Sequence, residues 1–497
     1  MIMLIINPRL VLQKHDTFTT GIVYMPFLLA YLSGYLKSKN IEFTILDCFG
    51  EAPEQWTEKS YGYTRGLSDN CIADGIHRFR QQSNSKLVVI YAINASYHKD
   101  ILTIIKITKK SFPEARIIVA ENSQAVTAYS IREVKEEFFL AGANELIEGD
   151  LEDKVQKIAE STIQKNSLDE RDNLKNSQQY NDLEFEKYDW YADWSQFPLE
   201  NYWKLNYAHG PVTNKKYLPI LTSRGCPYPC TFCVIPSTNK RRWRAKDSES
   251  VVAEIKYLSD LHGLTEFHIE DVNSTIDDQR TRKICKEIIK QNLKVQWKLV
   301  SGTKVESIKD RETIRLAAKA GCTYISISPE SGSKRIMKKI KKPFNYRHAV
   351  EIIEEMNNQK INSQACFVIG FPGENLQDQM MTWKMVRDIT IAGVSEIAVF
   401  IISPMPGAEI YESIAHDNNA VYSFSPNWRA DYQSLKQFRD ILYMTYIALR
   451  IYHYPLRSIK HLMNILRGQY ESKSEMVVVR GIKNKLRIVQ NQLRRPE

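Results

Sequence analysis

Apolar positions in the first 160 residues fall into short continuous runs, separated by segments with the spacing of a helix. Met3–Asn7, Glu42–Asp47, Lys86–Ala92 and Ala115–Ala120 read as strands, and Pro26–Leu36, His98–Lys110 and Ile131–Ala141 as helices. Nearly unbroken apolar strands alternating with amphipathic helices predict an α/β domain with a parallel, doubly wound, Rossmann-like sheet over residues 1–160. Such sheets bind ligands outside the carboxyl ends of their strands. Those ends are Asn7-Pro8, Asn94-Ala95-Ser96 and Glu121-Asn122-Ser123.

Residues 161–210 form a linker, with a polar stretch from Ser167 to Asn181 that is poor in core formers. Aromatics then return at Tyr188, Trp190, Tyr191, Trp194, Phe197, Tyr202 and Trp203, and this stretch reads as a strap across two domains. From Tyr217 the chain repeats strand and helix. The strands are Leu218–Thr222, Glu266–Glu270, Val295–Val300, Tyr324–Ser328, Ser363–Ile369 and Glu396–Ile402. The intervening helices are Ser250–Leu261, Thr281–Gln291, Glu312–Ala320, Arg347–Asn357 and Met380–Ala392, with Asp310 as a cap and Gly321 as a helix end. The pattern predicts a partial (β/α)6 barrel over residues 211–415, with its chemistry at the strand carboxyl ends. Residues 416–497 read as a mainly helical segment.

Composition adds limits. With 497 residues, 43% of them hydrophobic, the chain can bury a sizeable core. No apolar run reaches the length of a membrane span; Ile441–Leu449 is too short. The first residues lack the basic start and cleavage site of a signal peptide. Eight cysteines without a pairing pattern suit a reducing cytoplasm rather than a disulfide framework. The formal net charge of +10 is concentrated at one end: residues 428–497 hold 14 Lys and Arg against 5 Asp and Glu, a net of +9. A basic tail points to an anionic partner or surface rather than to a basic catalytic core.

Three of the eight cysteines stand in one stretch, Cys226-Pro227-Tyr228-Pro229-Cys230-Thr231-Phe232-Cys233. Pro227 and Pro229 lack an N–H and fix their own φ, so the stretch is a loop that can aim three thiolates at one point. Soft thiolates suit zinc or an iron–sulfur cluster. A closed zinc site wants four ligands, and no second cysteine pair lies nearby. Three ligands suggest a [4Fe-4S] cluster with one iron open. The spacing Cys-x3-Cys-x-aromatic-Cys, with Phe232 as the aromatic, resembles that of the radical S-adenosylmethionine (SAM) enzymes. The resemblance implies that Cys226, Cys230 and Cys233 ligate the cluster and that SAM chelates the open iron. It implies reductive cleavage of SAM to methionine and a 5′-deoxyadenosyl radical, with electrons from an external flavodoxin- or ferredoxin-type donor.

Later strand ends match the same family in order. Strand four ends in Glu330-Ser331-Gly332-Ser333, strand five in Gly370-Phe371-Pro372-Gly373-Glu374 and strand six in Pro404-Met405-Pro406-Gly407. The resemblance places Phe232, Glu330, Ser331 and Gly370 in the SAM shell. Strand two ends in Glu270-Asp271 without the glycines usual in the family, so these two are candidates by position.

The first 160 residues resemble the cobalamin-binding domain that precedes many radical SAM barrels. The features are the strand ending in Asn7-Pro8, the Pro26-x3-Ala30-Tyr31-Leu32 helix, Ile45-Leu46-Asp47, and Ala141-Gly142-Ala143 leading to Glu148-Gly149-Asp150. Asn7, Ser96 and Asn122 are the candidates for that shell. Two departures stand out. The Asp-x-His-x-x-Gly motif that supplies a histidine to cobalt in some relatives is absent, and Glu121-Asn122 replaces the usual Gly-Gly pair. The alternative is a degenerate domain that binds nothing or mediates assembly.

Together these features imply a cobalamin-dependent radical SAM enzyme that transfers a methyl group to an unactivated carbon of a small molecule, lipid or natural product. A cobalamin-dependent rearrangement or cyclisation, and a radical SAM enzyme with an empty N-terminal domain, remain open. A methylthiotransferase is set aside, because its N-terminal domain should hold extra cluster cysteines where this one has only Cys48 and Cys71. No nucleic-acid partner is expected. The tail reads either as a helix docked at the inner face of a membrane or as a solvated helix packed on the barrel.

Several residues take a structural reading. Cys285, Cys322 and Cys366 are expected as core hydrophobes, and His268 as a structural strand residue. The runs Lys240–Arg244 and Lys338–Lys342 are expected as solvated faces.

Overall fold

The computed structural model describes residues 2–14, 16, 20–125, 127–165, 185, 190–403, 405–414 and 425–493. The polar stretch 167–181, Tyr188, Pro404 and the beginning of the tail lie outside the described residues.

The first sheet is parallel throughout. Its strands β1 (Ile2–Asn7), β2 (Glu42–Asp47), β3 (Leu87–Ala92), β4 (Arg116–Glu121) and β5 (Glu145–Ile147) lie in the order β2-β1-β3-β4-β5. This is one of the two common doubly wound orders, with its switch between β1 and β3. β5 is an addition to the sequence expectation, since three residues are too short to show a period. Helices α1 (Phe27–Ser38) and α5 (Glu152–Lys165) touch each other, while α3 (His98–Ser111) touches both α2 (Asp69–Gln82) and α4 (Lys135–Ala141). α2 and a small antiparallel sheet of Leu10–Leu12, Gly62–Arg65 and Trp56–Lys59 are further additions. Arg9 is buried among them, with Nη2 2.5 Å from Asp100 and Nη1 2.6 Å from Asp69.

The second sheet holds β6 (Tyr217–Ile220), β7 (Glu266–Ile269), β8 (Gln296–Thr303), β9 (Cys322–Glu330), β10 (Asn362–Ile369) and β11 (Glu396–Ile401). They pair in chain order, all parallel, and among the described residues β6 and β11 are the edge strands. Before the barrel runs α6 (Leu199–Leu205); around it run α7 (Ser248–His262), α8 (Asp278–Lys290), α9 (Arg311–Lys319), α10 (Tyr346–Asn358) and α11 (Leu376–Ile391). Asp247, Asp277, Asp310, Asn345 and Asn375 cap the five barrel helices in turn, each side chain accepting from a backbone N–H of the first turn. An acceptor there satisfies an otherwise orphaned donor and stabilises a helix by about 1 kcal/mol.

The aromatic strap joins the two sheets. Asp193 N donates to Ala30 O at 2.9 Å and Ala192 N to Glu254 Oε1 at 3.2 Å, so one turn of chain touches α1 and α7. Tyr202 Oη donates to Asp47 Oδ2 at 2.8 Å, and Trp203 Nε1 donates to Tyr217 O at 2.8 Å. Tyr31 of α1 closes a second junction, accepting from Leu221 N at 2.9 Å beyond β6. The chain ends in α12 (Tyr432–His453), α13 (Pro455–Arg467) and α14 (Lys473–Leu493), and α12 packs on α11 and β11. Among the described residues no helix is long and apolar enough to cross a membrane.

Tyr202→Phe removes one donor from a carboxylate that is buried in the strap junction. Chemical denaturation should show a loss of about 1–3 kcal/mol, the cost of an unsatisfied buried group; no change would mean that the strap does not join the sheets energetically.

Candidate active site

The cysteine loop leaves the barrel just after β6. Ser223 and Arg224 pair antiparallel with Ala245 and Arg244, which gives the loop a short two-stranded base. Gly225 follows with φ +75°, and a Cβ there would lie 2.0 Å from Arg242 O, so the turn excludes any side chain. Gly225 N donates to Gln124 Oε1 at 3.0 Å, from the N-terminal sheet. Thr231 N donates to Ile340 O at 3.1 Å, and Ile410 N to Thr231 O at 3.0 Å, which fastens the far side of the loop. Phe232 stands edge-on to Phe371, with ring centroids 5.6 Å apart.

Cys226, Cys230 and Cys233 are free thiols, each partly exposed. Cys226 and Cys233 also lean on an apolar cluster of Ala128, Val234, Ile235 and Val272. Burial pushes the Cys226 thiol up, Cys230 to about 11 and Cys233 to about 12, and Lys342 pulls all three back down. Lys342 itself is buried, with Nζ 2.6 Å from Glu330 Oε1. Burial works against its charge, but Glu330 and the thiols outweigh burial and hold its pKa above the ordinary value. Lys304 Nζ lies 5.2 Å from the centre of the Tyr228 ring and adds a second cation beside the loop. The donor set fits a metal cluster: three soft thiols that feel one another's charge, with cations beside them to favour thiolate. Among the described residues, no three His, Cys, Asp or Glu side chains are gathered as a single ion requires.

The other strand ends divide into groups that face the mouth and groups that serve the frame. Asp271 belongs to the frame. It accepts from Thr222 N at 2.7 Å, Thr222 Oγ1 at 2.6 Å and Ser223 Oγ at 2.6 Å, so it holds the entry to the cysteine loop. Glu270 bonds His209 Nδ1 at 2.7 Å and borders an internal cavity. Glu330 ends β9 with φ +59° and turns its carboxylate to Lys342. Ser331 is fully buried against Thr382, Oγ to Oγ1 3.1 Å. Gly370 has φ +81°, and its N donates to Glu374 Oε2. Burial raises the Glu374 carboxyl to about 7. Arg429, from the tail, donates to Gly370 O at 3.0 Å and to Ile402 O at 3.2 Å, bracketing the ends of β10 and β11.

At the N-terminal sheet, Asn7 donates to Asp47 at 2.7 Å and Ser96 Oγ to Asn94 Oδ1 at 2.9 Å. Asn122 donates to Ile93 O at 2.8 Å and accepts from Gln124 N at 3.0 Å. Glu121 accepts from Ile131 N and Gly149 N, and burial raises its carboxyl to about 7. A cavity of about 20 Å³ lies between the sheets, walled by Tyr24, Phe27, Ile93, Asn122 and Gln124 on one side and His209, Glu270 and Ser301 on the other. Of the three candidates in this sheet, only Asn122 borders it. Apolar rings beside amides and a hydroxyl suit a corrin chemically. The enclosed space is small, so the two walls would have to part to admit a corrin. A wider, open hollow of about 400 Å³ lies at the carboxyl ends of α10 and α11, lined by Glu354, Asn357, Asp388 and Tyr454, away from the strand ends.

Three structural expectations need correction. Lys342 and Arg244 are buried, not solvated, because each meets a carboxylate: Glu330 for Lys342 and Asp150 for Arg244. Cys366 is only half-buried, with Sγ 3.4 Å from Gln364 Oε1. His268 is structural as expected, stacked on Tyr217 and bonded to Glu266 at 2.9 Å. His209, Gln124, Arg429 and Lys473 reach the site from segments without a motif. Lys473 Nζ donates to Val300 O at 2.7 Å and lies 3.4 Å from His209 Nε2.

Residues 220–385 match the family model described as the radical SAM superfamily. The chain is 28% identical over 225 residues to cytidylyl-2-hydroxyethylphosphonate methyltransferase of Streptomyces wedmorensis, covering 44% of this chain and 41% of that protein. It is 27% identical over 235 residues to an anaerobic magnesium-protoporphyrin IX monomethyl ester cyclase of Rubrivivax gelatinosus, covering 47% of this chain and 40% of that protein. The chain thus spans less than half the length of these curated relatives. Its fold is similar to that of the radical S-adenosylmethionine methyltransferase TsrM of Kitasatospora setae, solved with cobalamin and a [4Fe-4S] cluster bound. The TM-score is 0.61 at 16% identity, over 84% of this chain and 78% of that one.

Asp271→Ala would strand three donors at the base of the cysteine loop. It should lower stability by about 1–3 kcal/mol in denaturant titration and reduce iron retained after reconstitution. Wild-type stability and iron with lost SAM binding would instead return Asp271 to the SAM shell.

Proposed function

With residues 220–385 a radical SAM domain, we propose that the chain cleaves SAM reductively and transfers a methyl group to an unactivated carbon with the help of cobalamin. The observation that carries this reading is the set of three free thiols on one loop, at the mouth of a parallel barrel and beside the buried Lys342–Glu330 pair. Cys226, Cys230 and Cys233 would hold a [4Fe-4S] cluster. Phe232, Glu270, Glu330, Ser331 and Gly370 would surround SAM, while Asp271 would keep the loop in place. Asn7, Ser96 and Asn122 would lie on the cobalamin side. Residues 1–160 would form the cobalamin-type domain, 161–210 the linker, 211–415 the barrel and 416–497 the tail.

When bound, the cluster supplies the electron that cleaves SAM, and cobalamin supplies a methyl carrier. The chain's own residues do the rest. Lys342 neutralises charge beside the thiols and orients Glu330. Glu330 presents carboxylate oxygens that suit ribose hydroxyls or an amino group. Phe232, packed on Phe371, keeps one side of the loop dry. Methylation is supported by the likeness to two proteins named as methyltransferases. A small-molecule, lipid or natural-product substrate and an external one-electron donor complete the reading, with the basic tail at an anionic surface. A second reading keeps the cofactors and ends in ring closure; the similarity to a protein named as a cyclase favours it.

Anaerobic reconstitution should give about four irons and four sulfides per chain, lost when the three cysteines become alanine. Glu330→Ala should weaken SAM binding more than it weakens cluster assembly. With substrate, the product should gain one CH2 unit while 5′-deoxyadenosine and S-adenosylhomocysteine form in equal amounts. Deoxyadenosine without S-adenosylhomocysteine, with no gain in mass, would replace methyl transfer by ring closure or rearrangement.

A further inference from the structure

The last three helices carry apolar residues on their outer faces, and the last two turn mainly polar residues inward. On α13, Leu456 is 80% exposed and Leu466 72%, with Ile459 and Met463 on the same stripe. The inner face of that helix is polar: Asn464 donates to Glu475 Oε1 at 3.0 Å, and His461 Nδ1 lies 2.7 Å from the same carboxylate. α14 repeats the inversion, with Val478, Ile482, Leu486 and Val489 exposed while Arg480 and Asn484 are buried. α12 buries Leu435 and Leu442 against the barrel but leaves Ile441, Met444, Ile447 and Ile451 outside, at spacings of three and four. Each helix touches the next, so three outward apolar stripes adjoin. Water does not favour such an arrangement, and extended apolar surface of this kind marks a face that meets something else.

Charge chooses between the occupants. Exposed Lys436, Lys460, Arg467, Lys483, Lys485 and Arg487 stand among the stripes, with Lys460 also 2.7 Å from Glu471; Arg450 and Arg480, two of the 14 cations set against 5 anions in residues 428–497, are buried. A second copy seated on this face by two-fold symmetry would set cations against cations. A bilayer with anionic headgroups answers both features: its headgroups meet the Lys and Arg, and its acyl region takes the apolar stripes. We propose that the outer faces of α12–α14 dock in the plane of an anionic lipid surface. The proposal is independent of the chemistry at the cysteine loop.

Flotation of the full-length reconstituted protein with vesicles tests it. The protein should float with vesicles of phosphatidylglycerol in phosphatidylcholine at low salt, and weakly or not at all with phosphatidylcholine alone or at high salt. Leu456→Glu with Leu466→Glu should cut bound protein by about tenfold or more. Lys460→Gln with Arg467→Gln should cut it by about thirtyfold, two cations' worth of headgroup attraction. All four side chains are exposed, so circular dichroism and iron content should match the wild type. Failure to float at low salt, or variants that float like the wild type, would overturn the proposal. So would a concentration-dependent dimer in light scattering that Leu456→Glu with Leu466→Glu dissolves, since that would assign the face to a second copy.

Discussion

A buried guanidinium ties the two sheets together at the point where chemistry is expected. Arg224 stands two residues before the first cysteine of the loop and is 1% exposed. It donates to Glu152 at 3.0 Å and lies 3.3 Å from Asp150; Arg244 pairs with the other oxygen of Asp150. Arg224 also lies 4.9 Å from the ring of Phe185 and 5.9 Å from that of Tyr31. Asp150 and Glu152 follow β5, and Arg224 follows β6, so the pair pins the carboxyl end of one sheet to that of the other. Removing one member of such a pair leaves a charge without water or partner, at a cost of about 3–5 kcal/mol. A local rearrangement of the loop is therefore expensive at this corner.

The rest of the seam is held more lightly. Gln124 bridges to Gly225 N and Asn239 Oδ1, both at 3.0 Å, and Asn239 donates to Ser123 O near the arm that holds Gln124. Neutral hydrogen bonds of this kind contribute about 0.5–1.5 kcal/mol each. The seam thus has one strong corner and a weaker edge beside a cavity that holds little more than a water. The thiols sit on the strong side, where Lys342 would offset the charge that metal ligation would require of them. On the proposed function, cluster placement would depend on the anchored corner, and any large cofactor at the seam on the lighter edge.

Much of this was legible in the chain. The alternation of apolar runs and amphipathic helices located both parallel sheets, and the caps at Asp310 and its counterparts follow from residue type. The cysteine loop was legible because two prolines forbid a helix there. What escaped were elements without a period of their own: the three residues of β5, the small antiparallel sheet, and α2. The site residues that escaped arrive from far away in sequence. Lys342 looked like part of a solvated run because pairing with Glu330 is visible only in three dimensions. Asp271 sits beside Glu270 in sequence, just past the end of β7, but the two turn to different partners, Thr222 and Ser223 for Asp271 and His209 for Glu270. His209 and Lys473 meet across the barrel despite lying in segments with no motif. The basic charge of the tail was plain; that its helices are apolar on the outside was not, because amphipathicity does not reveal which face points inward.

The central claim is that the three thiols hold a four-iron cluster with one iron open to SAM. Electron paramagnetic resonance of the reduced, reconstituted protein, recorded with and without SAM, tests it most directly. The account predicts the spectrum of a reduced [4Fe-4S] cluster whose g-values shift when SAM is added, and loss of that spectrum when Cys226, Cys230 and Cys233 are replaced by alanine. Stoichiometric zinc with no iron signal, or an iron–sulfur spectrum indifferent to SAM, would contradict it.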